Sequence, residues 1–214
     1  MSHGGFDHWF FDLDGTLIDS SAGILACLRF ALTTLGRKIP DEAHLRGWIG
    51  PPLRTSLAPS LDHDAALIEQ AVQLYLHHMD EAGWRNYRIF DGIEDALREL
   101  HANGARLCLV TAKVETYARR ILADTPFGTL FSEIVGATAD GTRSLKADLI
   151  AEALHRTGAD PAATVMAGDH PLDMRGANHH GVAAIGVLWG YSSEAQLREA
   201  GAQRLIASPA GLLA

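Results

Sequence analysis

From Phe90 onward the chain alternates short apolar runs with stretches of helical periodicity, and no other feature of the sequence limits the fold so strongly. The spacing predicts helices over Ile93–Ala102, Val114–Leu122, Lys146–His155 and Leu172–His179. Strands are predicted between them at Arg106–Val110, Glu133–Gly136, Ala163–Ala167 and Val182–Val187, the second being the weakest. Strand and helix in turn form a parallel sheet with helices on both faces. Ligands of such sheets bind beyond the carboxyl ends of the strands. The residues that follow each strand are therefore where chemistry is sought.

The amino-terminal part adds one more strand and a block of helices. The aromatic run His8-Trp9-Phe10-Phe11 reads as a buried strand that stops at Asp12, Leu13 and Asp14, followed at once by Gly15 and Thr16. Side chains two apart on a strand share a face, so Asp12 and Asp14 project together from the end of a buried sheet. Acids held that close repel one another unless positive charge stands beside them, and a divalent cation suits the position. Residues Leu17 to Ser20 read as the exit from this strand. A helix over Ala22–Leu35, capped by Ser20 or Ser21 and stopped by Gly36, comes next. Asp41–Trp48 reads as a short helix, Ile49–Arg54 as a stiff proline-containing loop, and Asp64–Met79 as a further helix. No strand is expected between Ser20 and about Tyr87. The domain expectation is thus an α/β core of residues 1–19 and 88–214 with an all-helical insertion at 20–87.

A chain of 214 residues can bury a substantial core. Its formal charge of −8 argues against a general nucleic-acid binder, which needs an electropositive face. Cys27 and Cys108 each sit in an apolar run, so buried reduced thiols are expected. No basic segment leads into a long apolar stretch, and no window approaches the roughly 20 apolar residues of a membrane span. A cytoplasmic address, no membrane partner, and a monomer or homodimer are the expectations.

Each strand end offers a polar group of the kind that phosphate and a metal ion require. Thr111-Ala112-Lys113 follows one strand, Lys146 opens a helix after Gly141-Thr142-Arg143-Ser144, and Gly168-Asp169-His170-Pro171-Leu172-Asp173 follows another. Carboxylates suit Mg²⁺, while a hydroxyl and an ammonium suit phosphoryl oxygens.

Asp-Leu-Asp-Gly-Thr-Leu at 12–17, Val-Thr at 110–111, Lys146, and Gly-Asp-x-x-x-Asp at 168–173 resemble the four ordered motifs of the haloacid dehalogenase superfamily. The helical insertion resembles that superfamily's first type of cap. Within it the chain is similar to the phosphoglycolate-phosphatase-like branch, through Ile49-Gly50-Pro51-Pro52-Leu53, Asp140-Gly141-Thr142-Arg143 and Gly186-Val187-Leu188-Trp189-Gly190-Tyr191. The resemblance implies a Rossmann-like core and a Mg²⁺-dependent phosphatase of a small phosphorylated metabolite. It implies Asp12 as the nucleophile that forms an aspartyl-phosphate, and Asp14 as the acid and later the base. Thr111 and Lys146 would stabilise the phosphoryl oxygens. Asp12, Asp169 and the backbone carbonyl of Asp14 would hold Mg²⁺, and Asp173 would bind through a ligating water or orient Lys146. Lys113 and Arg54 are further candidates for substrate contact. Ala112 stands where the branch often has Asn, which removes a side-chain amide from the site, and Ala147 stands where Pro is frequent.

Other readings remain beside this one. A phosphomutase would share the motifs and differ in the acceptor, and a binding or regulatory protein could keep the pocket without turnover. A calcium loop counted from Asp12 fails, because Leu17 and Gly23 fall where glycine and a bidentate glutamate are required. Adjacent histidines on a helix do not share a face, so His77-His78 and His179-His180 are expected to be solvent-exposed imidazoles rather than metal sites. His170 lies inside the fourth motif, where a substrate-side or supporting role is open.

Overall fold

The aromatic run does form a strand, β1 (His8–Phe11), and it is buried along its whole length. The computed structural model describes residues 5–214. After β1 the chain continues through β2 (Ile18–Asp19) into α1 (Ser21–Thr34), α2 (Glu42–Arg46), α3 (Leu53–Leu57) and α4 (Ala65–Glu81). It then runs β3 (Arg88–Ile89), α5 (Ile93–Ala102), β4 (Arg106–Val114), α6 (Glu115–Asp124), β5 (Phe131–Ala137) and α7 (Lys146–Thr157). The remainder is β6 (Thr164–Gly168), α8 (Pro171–His179), β7 (Ala183–Val187), α9 (Glu194–Glu199) and β8 (Arg204–Ile206). Two compact units result: the described residues through Asp19 together with Ile89–Ala214, and Ser20–Arg88. The first four residues, on which the expectations for the amino-terminal segment partly rest, lie outside the described residues.

The first unit is built on a parallel six-stranded sheet in the order β5-β4-β1-β6-β7-β8. Alternating side chains of β1 serve its two faces. Phe10 packs with Met166, Met174, Leu149 and Ile150 on one. Trp9 stacks on Phe11 at 5.9 Å between ring centroids, and Phe11 meets Phe131 edge-on at 6.2 Å. Burial of each such ring contributes about 2–3 kcal/mol relative to exposure, so β1 is well anchored at the sheet centre. Register does the rest: Phe11 lies level with Leu109 and Ala167, and the Asp12 N–H donates to the Ala167 carbonyl at 3.0 Å. The residues that follow β1 and β6 therefore emerge side by side, next to the Val110–Thr111 stretch of β4.

In the second unit, α1 buries Ile24, Leu25, Leu28, Ala31 and Leu32, while α4 buries Ala71, Val72 and Met79. Asp41 and Asp64 cap α2 and α4 by accepting backbone N–H bonds. Both cysteines are buried free thiols. Among the described residues no helix is long and apolar enough to cross a membrane.

Several local expectations need correction. Strand β4 continues to Val114, so Thr111, Ala112 and Lys113 lie in a strand rather than a loop; β5 pairs with it as far as Ala137, across a register shift between Thr111 and Val114. Leu53 and Arg54 open α3, with Pro52 as its cap residue. Ser20 occupies the cap position of α1 but its side chain makes no capping hydrogen bond. His78 stacks on Phe30 at 4.5 Å, and His180 Nε2 lies 2.8 Å from the Ala147 carbonyl, so only one member of each histidine pair is fully exposed. α9 and β8 were not anticipated, although Ser193 and Gln196 form the reciprocal capping box whose S-x-x-Q pattern marks a helix start.

Candidate active site

Two strand ends bring a buried acidic cluster together. Asp12 follows β1 and is 4% exposed; Asp169 follows β6 and is 1% exposed; Asp173, one turn into α8, is fully buried. Each offers a carboxylate oxygen within 4.8 Å of the others. Among the described residues the ammonium that reaches them is that of Lys146, the first residue of α7, whose Nζ lies 3.1 Å from Asp12 Oδ1 and 2.7 Å from Asp173 Oδ1 and donates to the Val110 carbonyl at 3.0 Å. The ion pair does not neutralise the cluster. Burial pushes the Asp12 carboxyl up to about 6 against the pull of Lys146, with Asp173 and Asp14 adding to the rise. Asp169 is raised well above the ordinary carboxylate range, first by burial and then by the charges of Asp12 and Asp173. For Lys146 burial acts in the opposite sense, yet Asp12 and Asp173 outweigh it and hold its pKa above the ordinary lysine value. Three buried carboxylates and one certain ammonium amount to a shortage of positive charge, which is the chemistry of a divalent-cation site.

Asp169 is oriented by the protein on both oxygens. Thr16 Oγ1 donates to Oδ1 at 3.1 Å and the Tyr191 N–H to Oδ2 at 2.8 Å. Gly15, at φ +84°, and Gly190 lie so close that a Cβ on either would collide with the Asp169 side chain, and a Cβ on Gly168 would collide with Asp173. Trp189 Nε1 donates to the Thr16 carbonyl at 3.0 Å, and Tyr191 Oη to Asp19 at 3.0 Å, so the segment after β7 braces the turn after β1. Asp173 accepts from the His170 N–H at 3.0 Å and His170 Nδ1 accepts from the Leu172 N–H at 3.2 Å, a reciprocal cap on α8. Burial pulls the His170 imidazole down to about 4, Asp12 opposing and Lys146 and Arg175 assisting.

The remaining candidates are distributed as follows. Asp14 accepts from Lys113 Nζ with both oxygens at 2.9 Å, in a nearly buried pair. Thr111 is 1% exposed, and its Oγ1 accepts from the Lys113 N–H at 3.2 Å. Asp12, Asp14, Thr111, Lys113, Lys146, Asp169 and Asp173 thus belong to one constellation in the α/β unit. Arg54 belongs to the helical unit, where Glu69 takes its guanidinium through two hydrogen bonds of 3.0 and 3.1 Å. Thr16, Gly190 and Tyr191 were not singled out as site residues from the sequence. A Gly-Thr pair directly after the two acids and a Trp-Gly-Tyr run after the penultimate strand were the available signals.

Comparison with known proteins agrees with this geometry. A family described as haloacid dehalogenase-like hydrolase matches residues 9–187. The chain is 39% identical to a 5'-nucleotidase of Pseudomonas aeruginosa over 88% of its own length and 85% of that protein's. It is 30% identical to a phosphoglycolate phosphatase of Pseudomonas putida, covering 85% of this chain and 69% of that one. Identity to the tyrosine-protein kinase PtkA of Mycobacterium tuberculosis is 39% over 85% of this chain, which spans only 62% of that protein. Among solved structures, a predicted phosphatase from Clostridium acetobutylicum superposes with a TM-score of 0.93 at 31% identity, over 97% of this chain and 96% of that one.

Proposed function

The chain belongs to the haloacid dehalogenase-like hydrolases, and on that premise we propose a Mg²⁺-dependent phosphatase of small phosphorylated metabolites that works through an aspartyl-phosphate. One observation carries the reading: a buried carboxylate, Asp12, stands at the end of the central strand with an ammonium 3.1 Å away and two further carboxylates within 4.8 Å. Asp12 attacks phosphorus, the bond to the ester oxygen breaks, and Asp14 supplies that oxygen with a proton. Asp14 then takes a proton from water as the aspartyl-phosphate is hydrolysed. Thr111 and Lys146 face the charge on the phosphoryl oxygens, and Asp173 keeps Lys146 in place. Asp12, Asp169 and the Asp14 carbonyl would hold Mg²⁺, which supplies charge neutralisation between an anionic nucleophile and an anionic phosphate.

The helical unit, Ser20–Arg88, is the proposed cap that selects the ester, with Arg54 as its candidate substrate contact. Nucleotide, phosphoglycolate and sugar phosphate are the classes to compare. Asp12→Asn is expected to lower turnover of p-nitrophenyl phosphate in Mg²⁺ by at least about 10³-fold with an unchanged circular dichroism spectrum. Undiminished turnover overturns the nucleophile assignment. Transfer of phosphate to an added hydroxyl acceptor in preference to water, with little inorganic phosphate released, overturns the phosphatase reading in favour of a phosphotransferase or mutase.

A further inference from the structure

His170 stands between Asp169 and the first turn of α8, and its ring is spoken for on one side only. Nδ1 accepts the Leu172 N–H at 3.2 Å, so the ring proton must reside on Nε2. Among the described residues nothing hydrogen-bonds to Nε2, which reaches solvent although most of the ring is buried. The charges it feels are those of Asp12 and Lys146, the residues proposed to handle the phosphoryl group, together with Arg175 at the surface. A donor with a fixed tautomer, one residue from Asp169 and tied through its own N–H to Asp173, the carboxylate that holds Lys146, suits an anionic oxygen.

We propose that His170 is a phosphoryl-binding residue: its Nε2–H donates to a non-bridging oxygen of the bound phosphate, alongside Thr111 and Lys146. The proposal rests on the hydrolase reading for the location of the phosphate, and inorganic phosphate is the probe that separates the two. His170→Asn keeps a capping oxygen at the position of Nδ1 but places no donor at the position of Nε2. His170→Gln extends an amide donor to that outer position.

The measurement is the affinity for inorganic phosphate in the presence of Mg²⁺, by titration calorimetry, beside the melting temperature of each variant. Asn is expected to weaken phosphate binding about tenfold with melting shifted by no more than about 2 °C, and Gln to recover most of the loss. His170→Ser, which also caps without an outer donor, carries the same expectation and replaces Asn if that variant does not fold. Wild-type affinity in Asn or Ser overturns the proposal. So does an equal loss in Gln and Asn that follows the melting temperature, since that is the signature of a purely structural cap. A wild type that binds phosphate with this His170 dependence but hydrolyses no phosphate monoester upholds the proposal and overturns the hydrolase reading instead.

Discussion

The Asp169 carboxylate, oriented by Thr16 and Tyr191, owes its room to two residues that have no side chain. Gly15 adopts a positive φ that L-residues rarely tolerate, and both Gly15 and Gly190 leave room that a methyl group would take from the carboxylate. Gly190→Ala is therefore expected to cost about 1–3 kcal/mol and to raise the Mg²⁺ concentration needed for half-maximal activity; urea unfolding and a metal titration read the two effects. A second residue-scale consequence lies at the other end of β1. His8 is 8% exposed with neither ring nitrogen hydrogen-bonded, and burial, assisted by Arg106 and opposed by Asp7, lowers its pKa. An imidazole whose folded pKa is depressed stays neutral while the unfolded chain takes up a proton, so its contribution is present above the ordinary histidine pKa and is lost as pH falls below it. Melting temperatures measured between pH 7.5 and 5.5 should fall less steeply for His8→Leu than for the wild type.

At the scale of elements, the open edge of the sheet is closed by charge. β5 is an edge strand, and edge strands expose backbone groups that invite pairing with other chains. Here the Glu115 carboxylate accepts the Gly136 N–H at 3.2 Å, while Arg119 and Arg156 donate to the Ile134 carbonyl at 3.0 and 3.3 Å. Glu115 also pairs with Arg119 at 2.8 Å and Arg156 at 3.6 Å, linking α6 to α7 across the strand. Hydrogen bonds to backbone make this network worth more than isolated surface pairs. Glu115→Ala should destabilise by about 1–2 kcal/mol, with a difference from wild type that shrinks in high salt and a greater tendency to aggregate on heating. Differential scanning calorimetry at two ionic strengths, with light scattering, tests both.

Across the whole molecule, the site is a concentration of like charge that folding tolerates without fully compensating. Asp12, Asp14, Asp169 and Asp173 gather around the ammonium groups of Lys113, which pairs with Asp14, and Lys146, which pairs with Asp12 and Asp173. A ligand that binds the folded state alone stabilises it by mass action, about 2.7 kcal/mol at a hundredfold excess over Kd. Mg²⁺ is accordingly expected to raise the melting temperature of the wild type and EDTA to reverse the rise, while Asp169→Asn should flatten the response. A wild type whose melting is indifferent to Mg²⁺ overturns the metal assignment.

The sequence by itself determined the parallel α/β core, because short apolar runs alternating with helical periodicity have few other solutions, and it determined the acids at the strand ends. It also located Lys146, which stands at the very start of its helix. Only the tertiary structure decided how those groups are used against one another. That Lys113 is engaged by Asp14 and Arg54 by Glu69 depends on side chains 99 and 15 residues apart, which no local pattern relates. The extension of β4 through Thr111 and Lys113 depends on the parallel partner β5 supplying its hydrogen bonds. Thr16 and Tyr191 become supports of Asp169 because register sets the ends of β1, β6 and β7 side by side, 153 residues of chain separating Thr16 from the carboxylate it holds. Periodicity is a local property and was legible; pairing of polar groups is a property of the packed sheet, and the two acids that end the first strand acquired their partners only there.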